Sequence, residues 1–344
     1  MFKNKYNLSS RFLHRLVLSN NFINDILFDF EKFFFKHNDE EINQKNVFIS
    51  GLARSGTTIL NNFFFKTGNF ASFTYRDMPF VMAPNIWNII TKKFQKESKE
   101  LDRAHDDNLK IDYDSPENFD EIFFKTKLKN SYSLNDSLCE HELKEEIIND
   151  YKIYISNILL KNKKKFYLSK NNNNILRLSD LSRNFKNSIF VILFRHPIQQ
   201  ANSLLTQHKN FITLQTQDKF NLEYMNFLSH YEFGLGQKKF RFKETSKKNN
   251  FENLDINYWI CEWINIYNHI LKVSEGNNNI FLMNYEKLCE KPKDILIPFL
   301  SEFKISQNYL DNFKFQKSEK KINQNVDKEL KDNALKLYAD LLKK

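Results

Sequence analysis

Residues 47–62 read VFIS, GLARSGTT, ILNN: an apolar run, a turn holding two glycines, then a second apolar run opened by threonines. The chain has six glycines in 344 residues, against a usual share of about 7%, and Gly51 and Gly56 both fall in this stretch. A strand that feeds a glycine turn and then a helix aims successive backbone N–H groups, and the positive end of the helix dipole, at one spot. The spacing nearly fits the triphosphate-binding pattern G-x-x-x-x-G-K-[ST], with Gly51 and Gly56 in register. Thr57 stands where that pattern has lysine, and the fixed positive charge lies inside the turn, at Arg54. Arg54, Ser55, Gly56, Thr57 and Thr58 are therefore the candidate anion grip, suited to a terminal 5′-phosphate group and not to a magnesium-bound pair of phosphates.

Four short runs rich in Phe, Ile, Val and Leu read as buried parallel strands: Val47–Ser50, Phe166–Ser169, Ile189–Phe194 and Ile280–Met283. Segments with helical spacing lie between them, among them Glu140–Lys161, Asp218–Gly234 and Leu254–Glu275. The expected fold is α/β: a P-loop-containing three-layer fold with a central, mostly parallel sheet of four to five strands flanked by helices. Residues 1–45 read as a helical extension, 46–305 as the α/β domain, and 306–344 as a loop plus a closing amphipathic helix over Asp327–Lys343.

The carboxyl edge of that sheet carries cations. Ile189–Phe194 runs into Arg195, Phe166–Ser169 into Lys170, and Ile280–Met283 into Asn284. A magnesium-dependent triphosphatase would present an acid there, so the pattern counts against a kinase or ATPase and no metal is expected. The net charge of +10 is spread along the chain without arginine-rich runs or aromatic ribonucleoprotein signatures, which gives no reason to expect a nucleic-acid partner. Three scattered cysteines suit a reducing, cytoplasmic setting. No apolar run approaches the roughly 18 residues of a membrane-spanning helix.

With GLARSGTT after one strand and FRHPIQQANSLL after a later one, the chain resembles sulfotransferases that use 3′-phosphoadenosine 5′-phosphosulfate. The resemblance implies that the first loop takes the donor's 5′-phosphosulfate and that Arg195 and Ser203, eight residues apart, contact its 3′-phosphate. The spacing makes sense, since Ser203 lies about two turns into a helix that starts at Pro197, on the side facing the strand end. YLSKNNNNILRL and MNYEKLCEKPKDIL are similar to segments of the carbohydrate and tyrosyl-protein branches and of bacterial members, whereas the glycine-rich C-terminal motif of the small-molecule branch is missing. Implied in turn are the phosphosulfate as co-substrate, 3′,5′-bisphosphoadenosine as product, and a hydroxyl acceptor, with a carbohydrate or glycan as the leading class. A P-loop kinase or NTPase, and a non-catalytic nucleotide- or glycan-binding relative, are the alternatives.

Sulfuryl transfer needs cations at the bridging oxygen and a base for the acceptor hydroxyl. Arg54 and Lys170 are the candidates for the first role, and Asp77 in TYRDMPF, then His105 in RAHDDN, for the second. Asp77 has a competing reading as an Arg76 ion pair or a helix cap ahead of Pro79. Asp114-Ser115-Pro116-Glu117 reads as a helix start without chemistry, His196 as structural, and Trp87 as the candidate wall of the acceptor cleft.

Overall fold

The computed structural model describes residues 6–37, 45–94, 101–102, 110–244, 249–317, 321–322 and 324–344. Five parallel strands form the central sheet, in the order Phe70–Ala71, Phe166–Lys170, Asn46–Ser50, Ile189–Phe194, Ile280–Asn284. Their side chains alternate between two apolar layers. Phe48, Tyr167, Phe190, Ile192 and Phe194 enter one core, while Val47, Ile49, Leu168, Val191 and Leu193 enter the other. A strand whose successive residues point to opposite faces must be apolar throughout when both faces are covered. That is why these runs show no polar alternation.

The larger core packs the sheet against helices Glu145–Asn162, Pro197–Gln217, Ile256–Ser274 and Lys328–Leu341. The smaller one packs it against Thr57–Lys66, Tyr285–Glu290 and Pro292–Glu302. The N-terminal residues form two helices, Leu8–Leu18 and Asn21–Phe34, each N-capped by an asparagine side chain. Ser137–Cys139 pairs in parallel with Lys239–Arg241 outside the main sheet.

Several expected boundaries move. Asp218 is not inside a helix: its carboxylate accepts from Phe220 N at 3.0 Å, so it ends Pro197–Gln217 and caps Lys219–Phe227. The chain then leaves the helix before Gly234, through Ser229 at φ +52°. Residues 140–144 precede the next helix because Glu140 N donates to Arg241 O at 2.8 Å. The Asp114–Glu117 segment starts no helix. Pro116 forms an antiparallel bridge with Thr74, and the helix begins only at Glu121. Pairing with a neighbouring segment there outweighs a local cap signal.

Candidate active site

The first loop turns sharply at both glycines. Gly51 has φ +148°, and a Cβ there would stand 2.5 Å from Leu193 O and 2.9 Å from the Ser55 hydroxyl. Gly56 has φ +99° and lies under the Tyr285 ring. The helix starts at Thr57, so the positive end of its dipole faces the turn. Buried Gln200 fixes the loop from the next crossover helix. Its Nε2 donates to Leu52 O and Ala53 O, each at 3.0 Å, and its Oε1 accepts from Trp263 Nε1 at 3.0 Å.

The two phosphate motifs meet. Arg54, itself at φ +69°, donates from Nε to Ser203 Oγ at 3.1 Å. Arg195 is buried at the end of Ile189–Phe194, with its guanidinium carbon 5.8 Å from the centre of the Tyr285 ring. That is the ring under which Gly56 lies. Arg195 Nε is 3.8 Å from Glu286 Oε1, and the same oxygen accepts from His196 N at 3.0 Å. The other Glu286 oxygen accepts from Asn284 Nδ2 at 3.0 Å and Tyr338 OH at 3.3 Å. The MNYEKL stretch thus aligns the strand-end arginine while Asn284 caps the following helix.

Arg54, Thr57 and Thr58 line a cavity of about 60 Å³ together with Lys170, Glu117 and Tyr75. Lys170, buried at its strand end, donates to Glu117 Oε1 at 3.1 Å. Asn118 N donates to the same oxygen at 3.1 Å, and Tyr75 OH to the other at 3.3 Å. Phe211, Tyr224, Met225 and Phe233 supply an apolar wall, and His230 and Glu232 are among the other lining residues. Burial pushes the His230 pKa down, and its Nε2 lies 3.2 Å from Asn118 O. If Nε2 carries the proton, Nδ1 is the accepting nitrogen.

Asp77 is not among these lining residues. It is fully buried, with Oδ2 accepting from Thr74 N at 2.9 Å and Thr74 Oγ1 at 3.2 Å, and Oδ1 accepting from Lys161. This closes a capping box on the short turn Tyr75–Asp77, and the ion pair of Arg76 is with Asp114. His105 lies outside the described residues. Trp87 stacks on Phe80 at 4.4 Å and donates to Arg76 O at 3.0 Å, and it is not among the lining residues. His230 and Glu232 had no motif to flag them, while Tyr75, Glu117 and Glu286 lie in the TYRDMPF, DSPE and MNYEKL segments, which gave them no role at the site. The cationic strand end at Lys170 was the one signal that an acid should stand opposite.

Among the described residues no group of three or more His, Cys, Asp or Glu side chains could hold a metal ion. None of the described helices is long and apolar enough to cross a membrane.

A model of the sulfotransferase family matches residues 46–297, from the first core strand into the second helix after the last. In fold the chain is similar to the sulfotransferase STF1 from Mycobacterium tuberculosis H37Rv, with a TM-score of 0.54 and 10% identity over 93% of this chain and 84% of that one. The sulfotransferase STF9 from Mycobacterium avium aligns over 94% of this chain and 75% of its own, with a TM-score of 0.48 and 12% identity. No curated protein matches the sequence. With the family match spanning the glycine loop, the strand-end arginine and the whole central sheet, the chain belongs to the sulfotransferase family.

Proposed function

We propose that the chain moves a sulfuryl group from 3′-phosphoadenosine 5′-phosphosulfate to an acceptor hydroxyl, with a carbohydrate as the acceptor class. The observation that carries this reading is the 3.1 Å hydrogen bond from Arg54 to Ser203. It brings the loop suited to the 5′-phosphosulfate against the residue spaced to help Arg195 with the 3′-phosphate, so one adenosine can reach both. An arginine fork and a hydroxyl suit a dianionic phosphate. Backbone N–H groups from Ser55 to Thr58 suit the other end. The carbohydrate assignment rests on the likeness to bacterial members and on the aromatic wall of Phe211, Tyr224 and Phe233.

In the proposed step the acceptor oxygen attacks sulfur in line, and the bond from sulfur to the bridging oxygen breaks. 3′,5′-Bisphosphoadenosine leaves with the electron pair. Arg54 and Lys170 neutralise the charge growing on the bridging oxygen. Glu117 takes the acceptor proton. Its carboxylate is next to Lys170 in the cavity, whereas Asp77 would first have to leave its cap. When the donor draws Lys170 toward the bridging oxygen, Glu117 loses a donor that now favours its charged form, and becomes the stronger base.

The test is incubation of the full chain with sulfate-labelled donor and a panel of glycan acceptors. Label in a glycan, with one bisphosphoadenosine released per transfer, is the expected result. Tight binding of the bisphosphonucleotide with no transfer to any hydroxyl acceptor would make the chain a non-catalytic relative. Hydrolysis of magnesium-ATP in place of transfer would restore the kinase reading.

A further inference from the structure

The two N-terminal helices turn much of their apolar surface outward. On Leu8–Leu18 the inward residues are His14, Val17 and Leu18, while Leu8, Phe12 and Leu16, spaced by four and so on one face, are exposed. On Asn21–Phe34, Phe28 is buried in the core, and Phe22, Ile26, Phe30 and Phe33 make an outward stripe beside exposed Phe34. The helix Pro84–Thr91 is tied to this hairpin. Glu31 Oε1 accepts from Asn85 N at 2.8 Å and Glu31 Oε2 from Ile86 N at 3.1 Å. It too leaves Ile89 and Ile90 exposed, followed by Phe94.

Phe12, Phe22, Phe30, Phe33, Phe34 and Phe94 are each more than half exposed. At the area a phenylalanine carries, they alone expose on the order of 600–800 Å² in total.

The charge around this surface is also specific. Arg11, Arg15 and Lys32 are paired, with Asp218, Glu223 and Asp150. Lys36, Lys92 and Lys93 are exposed and form no ion pair among the described residues. Asp29 is the acid on the outward stripe.

We infer that this helical face docks on an anionic lipid surface, lying in the headgroup plane with its phenylalanines at the acyl boundary and the three lysines among the phosphates. An apolar face edged by unpaired cations is the pattern of an interfacial helix. A second copy seated on the same patch would bring two cationic surfaces together, whereas anionic headgroups can satisfy all three lysines. The hairpin also begins beside the cavity. Tyr6 OH donates to Tyr224 OH at 3.1 Å, and Tyr224 is part of the apolar wall. Docking would therefore hold the transfer site close to hydroxyls carried at the membrane surface.

The experiment is co-sedimentation of the full chain with phosphatidylcholine vesicles, with and without phosphatidylserine. Binding should require phosphatidylserine. Lys92→Ala with Lys93→Ala should weaken it about 30-fold, and Phe30→Ser with Phe33→Ser at least roughly tenfold. Both variants should bind 3′,5′-bisphosphoadenosine as the parent does, which reports an intact fold. The inference is overturned by failure to bind either vesicle, by binding indifferent to these substitutions, or by a concentration-dependent dimer that the same substitutions dissolve.

Discussion

Replacing Gly56 by alanine tests whether the loop's shape, and not only its charges, makes the donor site. The added methyl carbon would stand less than 3.0 Å from Cδ2 and Cε2 of Tyr285 and 3.1 Å from its Cγ, on a backbone held at φ +99°. The left-handed conformation costs an L-residue roughly 1–2 kcal/mol, and forcing a methyl group into a packed site about 1–3 kcal/mol. The combined cost of about 2–5 kcal/mol is a sizeable part of a stability on the order of 5–15 kcal/mol. The chain can escape it only by moving Tyr285 or reshaping the turn, and either displaces groups meant for the nucleotide. Thermal melting should therefore fall by several degrees, and calorimetry should show bisphosphoadenosine binding weakened at least roughly tenfold. Adding Tyr285→Ala should recover the clash and leave the backbone cost, a coupling of about 1–3 kcal/mol. If Gly56→Ala melted and bound nucleotide like the parent, the packing argument for this loop would fail.

Four further outcomes follow from the buried charges. Arg177 and Glu121 form a fully buried pair at 2.5 Å, so Arg177→Met should cost about 3–5 kcal/mol by leaving the carboxylate uncompensated. Adding Glu121→Leu should restore much of this in a denaturant titration. Burial pushes the Glu262 carboxyl up to about 7, from an ordinary value of 4.5. The folded state therefore keeps a proton that the unfolded chain loses in that window, and stability should fall by on the order of 3 kcal/mol as pH rises through it. Glu262→Gln, which can still accept from Asn249 Nδ2, should remove that component of the pH slope measured by urea unfolding. Glu117→Gln should lower kcat by roughly 10²–10⁴-fold while nucleotide affinity holds. Asp77→Asn should instead lower the melting temperature, through its contacts with Thr74 and Lys161, and spare kcat in the folded fraction.

What the sequence revealed follows from how local each signal is. The glycine loop was legible because its shape is written in adjacent residues, and the sheet because a strand covered on both faces must be apolar throughout. Phe70–Ala71 was not legible, since two residues carry no periodicity and the strand exists only by pairing with Phe166 and Tyr167. The Ser-Pro-Glu of residues 115–117 mimicked a helix start, but the bridge to Thr74 won and left Glu117 facing Lys170. At Asp77 neither alternative to the base reading holds as expected: no helix begins at Pro79 and Arg76 pairs with Asp114, while the Asp77 carboxylate closes a box back on Thr74 and accepts from Lys161. Glu286 beside Arg195 and Glu121 beside Arg177 lie too far apart along the chain, or too deep, for spacing to reveal.

The most direct measurement is calorimetric titration of the chain, Arg195→Ala and Ser203→Ala with 3′,5′-bisphosphoadenosine and with 5′-AMP. Charge-assisted hydrogen bonds contribute roughly 1.5–3 kcal/mol each, so the parent should prefer the bisphosphate by one to two orders of magnitude or more. Arg195→Ala should erase most of that preference, and Ser203→Ala part of it, with AMP binding little changed. Equal affinity of the parent for the two nucleotides, or equal losses for both in Arg195→Ala, would contradict a single donor held jointly by the glycine loop and the Arg195–Ser203 pair.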